Sequence, residues 1–180
     1  MVFAAGLGTR LRPLTDTMPK ALVPVCGKPL LEHVLTKLIR GGYTDIVVNV
    51  HHFPDRIIGY LKEHPHEGVR IRISDERDFL RETGGALRYA APLLTGGGFR
   101  EGSIADGRDC EATVSGDIPL PEPVLVHNVD IISNLDLCWM RSQHREGALA
   151  TLLVSPRKTS RYFLFDDEGR LAGWTHVATG

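Results

Sequence analysis

The residues best suited to chemistry lie near the start of the chain, at Gly6, Gly8, Thr9 and Arg10, with Lys20 following. Two glycines one residue apart let the backbone fold back with its N–H groups turned inward, a concavity that suits phosphate oxygens. Arg10 adds a guanidinium fork able to take two oxygens at once, and Lys20 brings a second cation round the same loop. The spacing is not that of a Walker A loop, because GxxxxGK followed by Ser or Thr is absent. Nor is it a dinucleotide fingerprint, since Leu11 stands where a third glycine belongs. Pro13 argues against a long helix starting at once, and Pro13 with Pro19 predicts an extended segment. A lone Gly-x-Gly would read as a solvated surface turn; GxGTRLRPLT…PK specifies too many positions for that.

The rest of the chain must position this loop. Residues 2–5 read as the end of a buried strand, residues 21–25 as an extended apolar stretch, and residues 26–29 as a turn. Leu31, Val34, Leu35 and Leu38 recur at helical spacing, which predicts a helix over Leu30–Arg40 ended by Gly41-Gly42. The β-branched run Asp45–Val50 predicts a buried parallel strand. A helix over 55–64, a strand over 69–73, a charged loop over 74–81 and a helix over 86–94 follow. Residues 95–123 lose all periodicity and read as a loop insertion, with room for a short hairpin at 112–114. An apolar strand over 124–130 ends in Asn128 and Asp130, and Asp136 is placed to cap a helix over 137–145. Strands over 149–154 and 161–165, a turn at 166–169 and a return strand over 170–174 complete the pattern.

Strands alternating with helices predict an α/β domain with a mostly parallel central sheet. Ligands bind such sheets at the carboxyl ends of the strands, which gathers residues 6–10, His51-His52 and residues 128–130 near one crevice. His51 and His52 are adjacent on a strand and point to opposite faces, so they do not read as a joint metal site. Trp139 and Trp174 read as core or packing residues, and Arg157, Lys158 and Arg161 as a solvated turn.

At 180 residues and 42% hydrophobic composition, the chain is expected to be a single domain that buries its own core. A formal net charge of −1 gives no support for binding nucleic acid or a membrane surface. Cys26, Cys110 and Cys138 are odd in number and not at metal-ligand spacing, so free thiols in a reducing, cytoplasmic setting are expected. No signal peptide and no apolar run of spanning length are seen.

The stretch GLGTRLRPLTDTMPKALVPVCGKPLLEH, residues 6–33, resembles the N-terminal signature of the sugar-1-phosphate nucleotidyltransferases. The likeness is nearly complete over residues 6–29 and continues more weakly to about Asp130. The subgroup most like it contains the N-acetylmuramate-1-phosphate uridylyltransferases and mannose-1-phosphate guanylyltransferases. The resemblance implies a Rossmann-like nucleotidyltransferase fold, a mostly parallel central sheet flanked by helices, with a C-terminal β-hairpin. It implies transfer of a nucleotidyl group from a nucleoside triphosphate to a sugar 1-phosphate, with release of pyrophosphate and a need for Mg2+. Both reactants are anions, so charge neutralisation and orientation are the main tasks.

Carried over to this sequence, the resemblance makes Arg10 and Lys20 catalytic and Asp130 the magnesium ligand, with Asn128 on the sugar-phosphate side. It places the nucleotide on Ala4, Ala5, Gly6, Gly8, Thr9, Arg10, Glu82, Thr83, Gly84 and Gly85, the last four forming the base-binding stretch. Arg12 serves equally well as a salt-bridge partner holding the loop. Val129 replaces the glycine usual before the metal acid and is expected to narrow the space beside it. Two other readings remain: a cytidylyltransferase for a small phosphorylated alcohol such as phosphocholine, and a non-catalytic nucleotide-sugar-binding regulatory subunit. The resemblance also implies a longer protein, with a second metal carboxylate and sugar contacts beyond the hairpin. A homo-oligomer is compatible with the sequence; no nucleic-acid or membrane partner is expected.

Overall fold

The computed structural model describes residues 1–95, 123–156 and 158–177. Residues 96–122 of the expected insertion, Cys110 and Arg157 lie outside them. The chain divides into two compact units, Met1–Leu137 and Cys138–Gly180.

The first unit opens with strand β1 (Val2–Phe3), then three short 3-10 turns at Thr9–Leu11, Leu14–Asp16 and Lys20–Leu22. A small antiparallel ribbon follows, β2 (Pro24–Val25) with β3 (Lys28–Pro29), and leads into helix α1 (Leu30–Arg40). Next come β4 (Asp45–Val50), α2 (Pro54–Glu63), β5 (Arg70–Asp75), α3 (Glu82–Tyr89), α4 (Ala91–Leu94) and β6 (His127–Asn128); α5 (Leu137–Ser142) begins at the last residue of this unit and runs into the second. The sheet order is β5-β4-β1-β6, and every neighbouring pair is parallel.

The sheet is covered on both faces, and β4 shows why. Ile46, Val48 and Val50 pack with the α1 stripe Leu31, Val34, Leu35 and Leu38 and with Ile57 and Leu61 of α2. Val47, pointing the other way, packs with Ala86, Ala90 and Leu93 of α3 and α4. A continuous apolar strand therefore finds a layer on each side, as parallel sheets require. α1 and β4 fall on their expected bounds because a helical stripe and a β-branched run leave no competing local solution.

Other expectations are corrected. The segment from Arg12 to Lys20 is not extended: bonds from Leu11 N to Gly8 O, Asp16 N to Pro13 O and Leu22 N to Pro19 O close successive tight turns. Glycines 84 and 85 do not precede a helix but lie inside α3, and the helical run breaks at Ala90 before Pro92. β5 continues through Ser74 and Asp75, and both are buried with Glu76, so the start of the expected charged loop belongs to the core. The strand expected over 124–130 is paired only at His127–Asn128, because its partner β1 offers just Val2 and Phe3. α5 stops at Ser142 instead of 145. Residues 149–154 form no strand, having no ladder partner among the described residues.

In the second unit, β7 (Arg161–Phe165) and β8 (Leu171–His176) form an antiparallel hairpin, with a register shift at Leu164/Phe165. Asp166 N bonds Arg170 O and Gly169 N bonds Asp166 O, closing the turn, with Gly169 at φ 75°. The expectation that Trp139 and Trp174 pack in a core is wrong: they are 52% and 64% exposed. Trp174 stands on a two-stranded ribbon, which has no second layer of its own to offer, and Trp139 stands on the short helix α5. No helix among the described residues is long and apolar enough to cross a membrane.

Candidate functional site

The carboxyl ends of β4, β1 and β6 lie side by side, and the candidate residues gather there. Gly8 sits at φ 66°, and a Cβ built on it would lie 2.8 Å from Thr15 Cγ2 and 3.1 Å from Lys20 Cβ. Both the left-handed backbone and the space restrict this position to glycine. A Cβ on Gly6 would stand 3.6 Å from Lys20 Nζ, so the ammonium lies over the first glycine of the loop. Lys20 Nζ donates to Asp130 Oδ2 at 2.9 Å, joining residues 110 apart in sequence. Both partners are partly open to solvent.

Arg10 is exposed and has no ion-pair partner among the described residues, whereas Arg12 pairs with Asp16 at 3.2 Å within the loop. The two arginines are thereby distinguished: Arg12 holds the loop and Arg10 projects from it. The loop is tied down through its backbone carbonyls. Thr15 Oγ1 donates to Gly8 O at 2.8 Å, His52 Nε2 to Thr15 O at 3.3 Å, and the Arg56 guanidinium to Thr17 O. His51 Nδ1 donates to Glu76 O at 2.7 Å. Since a carbonyl only accepts, each of these ring nitrogens carries its proton. Both histidines are loop fasteners. Among the described residues no three His, Cys, Asp or Glu side chains cluster as a metal site.

Asp130 follows Val129, which is 1% exposed and part of the main core. Its side chain points into the sheet's packing layer, so the expected narrowing beside the acid does not arise. Asn128 is exposed and paired through its backbone with Phe3. Residues 82–85 are exposed at the start of α3. A Cβ on Gly84 meets nothing within 4 Å, which leaves a flat, open patch of helix start. Glu82 has φ 56°, and behind the patch the Arg81 guanidinium lies 3.7 Å from the Tyr89 ring centroid and pairs with Asp78. The hydrogen bonds to Arg81 hold the Asp78 carboxyl down to about 2.

Asn49 and Glu76 were missed. Asn49 Oδ1 accepts from Ala4 N at 2.7 Å and Ala5 N at 3.3 Å, so these N–H groups point into the protein and not toward a ligand. Asn49 Nδ2 donates to Glu76 Oε1 at 2.9 Å, and Glu76 Oε2 accepts from Arg81 N at 3.3 Å. Burial pushes the Glu76 carboxyl up from its ordinary value. Asn49 carried a signal, a lone amide in the run Ile46-Val47-Val48-Asn49-Val50, where a buried polar group must find a partner. Glu76 carried none, being one acid among Asp75, Glu76 and Asp78.

A parallel α/β sheet with an anion-suited glycine loop at its carboxyl end and a lysine-acid pair beside it belongs to the class of nucleotide-handling α/β proteins. Residues 1–99 match the family described as nucleotidyl transferase, and the chain belongs to that family. It is 50% identical over 96 residues to the N-acetylmuramate alpha-1-phosphate uridylyltransferase of Caulobacter vibrioides, covering 52% of this chain and 40% of that protein. The enzyme of the same name from Neisseria meningitidis serogroup B is 39% identical over 129 residues, 71% of this chain and 56% of that one. The UTP--glucose-1-phosphate uridylyltransferase of Synechocystis is 32% identical over 177 residues, covering 95% and 42%. Among solved structures, the CTP:phosphocholine cytidylyltransferase of Streptococcus pneumoniae shares 40% identity over 43% of this chain and 32% of that one, with a TM-score of 0.36. The chain spans about half the length of the curated relatives it matches.

Proposed function

We propose that this chain carries the nucleotide half of the active site of an enzyme that transfers a nucleotidyl group from a nucleoside triphosphate to a sugar 1-phosphate. The observation that carries this reading is the 2.9 Å pair of Lys20 and Asp130, set over Gly6 at the carboxyl end of the sheet. A cation and an acid held together at such a loop are what two phosphate substrates and a metal need.

In this reading Arg10, which has no ion-pair partner among the described residues, clamps the β- and γ-phosphate oxygens where negative charge grows as pyrophosphate leaves. Lys20 bridges the α-phosphate and the attacking sugar-phosphate oxygen, offsetting the repulsion between two anions. No general base is required, since a phosphate dianion is already ionised. Gly6, Gly8 and Thr9 supply the cradle, residues 82–85 the surface for the base, and Asn128 a contact on the sugar-phosphate side.

Magnesium fits Asp130: one carboxylate oxygen is on Lys20, and the residue is exposed beside the phosphate loop. Magnesium takes one or two carboxylates and completes its shell with phosphate oxygens and water, so a lone protein acid suffices to begin the site. When bound, the ion would add positive charge across the phosphate oxygens. A cytoplasmic setting belongs to the same reading.

Uridine triphosphate with N-acetylmuramate 1-phosphate is the first pair to test, since two relatives bear that activity in their names. The test is a pyrophosphate-release assay of the full-length protein over a grid of triphosphates and sugar 1-phosphates, with and without magnesium. We expect turnover with at least one pair, and a loss of about 100-fold or more in Asp130→Asn at unchanged fold. A variant as fast and as metal-dependent as the wild type would make Asp130 a structural acid and remove the metal assignment.

A further inference from the structure

We propose that Asn49 and Glu76 are positioning residues for the nucleotide, a buried pair that locks the root of the phosphate loop to the root of the base-binding stretch. The inference rests on the placement of phosphates at residues 6–10 and base at residues 82–85 given above.

The pair stands in an unbroken line of hydrogen bonds whose polarity is forced at every step. Ala4 N–H and Ala5 N–H are donors, so the Asn49 atom facing them must be its oxygen. The amide nitrogen then faces the other way and donates to Glu76 Oε1. Arg81 N–H is again a donor and takes Glu76 Oε2. Residue 76 therefore meets donors on both of its terminal atoms. A carboxyl group satisfies that demand and an amide does not. This explains why an acid lies fully buried, 0% exposed, at a site where burial penalises its charge.

The two ends of the line are the two places where a nucleotide is read. Ala4 and Ala5 immediately precede Gly6, and β1 has only two paired residues, so its ladder ends before the loop begins. Asn49 prolongs that ladder with a side chain, fixing the direction in which the loop leaves the sheet. Arg81 immediately precedes Glu82 at the start of α3, and Glu76 fixes where that helix begins. The line crosses from β1 over β4 to the segment after β5, so the spacing between phosphate cradle and base surface is set through two side chains. Shifting either end by a fraction of a hydrogen bond would misalign a ligand that must touch both.

The forced polarity makes a reciprocal test possible. In Glu76→Gln the amide NH2 must face a donor, either Asn49 Nδ2 or Arg81 N. In Asn49→Asp two carboxyl groups oppose each other. In the double variant Asn49→Asp/Glu76→Gln every bond is restored. The carboxylate introduced at position 49 accepts from Ala4 N, Ala5 N and the amide NH2 introduced at position 76, while the oxygen of that amide accepts from Arg81 N. We would measure affinity of the full-length protein for ATP, CTP, GTP and UTP by calorimetry, pyrophosphate release, and thermal stability of each variant.

Each single variant is expected to lose about tenfold in affinity for the preferred triphosphate, with KM for the triphosphate rising more than KM for the sugar phosphate. The double variant should return to within about threefold of the wild type. If the single variants lose stability but bind the triphosphate as the wild type does, the pair only supports the fold and the inference is wrong. If both singles fail to fold, the double variant decides, because failure to recover binding there overturns the proposal. Wild-type protein that binds no triphosphate would instead sink the functional reading on which the inference stands.

Discussion

The two units of this chain use similar residues to different effect. In the first, Ile46, Val48 and Val50 of β4 are at most 2% exposed, with α1 and α2 packed over them. In the second, Phe163, Leu164 and Phe165 of β7 are about half exposed, although their hairpin is well paired along its length. Backbone pairing makes a strand, but only a second layer turns an apolar side chain into stability. The candidate site lies wholly in the unit that has both layers. The residues proposed to hold a ligand lie mostly in loops and turns at the carboxyl ends of strands that cannot shift without opening a core.

The largest expected difference between the units is in side-chain truncation. Leu35→Ala, at a fully buried position, should lower stability by about 2–5 kcal/mol in urea unfolding. Phe163→Ala should cost no more than about 0.5 kcal/mol. Equal losses would mean that the hairpin is covered in solution, and the contrast drawn above would fail.

Glycine replacement sharpens the same comparison at a smaller scale. Gly8 and Gly169 both have left-handed backbones, at φ 66° and 75°. An alanine at Gly169 meets nothing within 4 Å and should cost only the backbone strain of about 1–2 kcal/mol. At Gly8 the new Cβ also meets Thr15 Cγ2 at 2.8 Å, so Gly8→Ala should unfold at a distinctly lower temperature than Gly169→Ala. Matching melting temperatures would show that the loop relaxes freely and is no rigid cradle.

The smallest effects concern two surface acids. Asp78 is held down to about 2, chiefly by its hydrogen bonds from Arg81, and Asp166 is lowered by the backbone and side chain of Arg170. A carboxyl whose folded value lies below its unfolded one adds stability above the unfolded value and loses it as pH falls through the folded one. For Asp78 that window runs from 3.8 down to about 2. Asp78→Asn should therefore flatten the decline of stability on acidification, as read from urea midpoints between about pH 4 and 2. Asp166→Asn, in the uncovered turn, should change that decline less. A reversal of that order would mean that the bonds from Arg170 depress Asp166 more than those from Arg81 depress Asp78.

What was legible in the sequence was whatever a short window contains. The helix at Leu30–Arg40, the strand at Asp45–Val50 and the hairpin turn before Gly169 follow from periodicity and from turn residues, and they stand where expected. The glycine loop was legible for the same reason: its demand for a left-handed residue at Gly8 is local. The joining of Lys20 to Asp130 and the line from Ala4 through Asn49 and Glu76 to Arg81 depend on which strands become neighbours. So do the shortness of β6, set by the length of β1, and the exposure of Trp139 and Trp174, which find no full cover among the described residues. Side-chain type limits what a residue can donate, accept or bury, and local pattern chooses helix or strand. Which donor meets which acceptor, and which apolar face finds a cover, is chosen by packing across tens of residues of intervening chain.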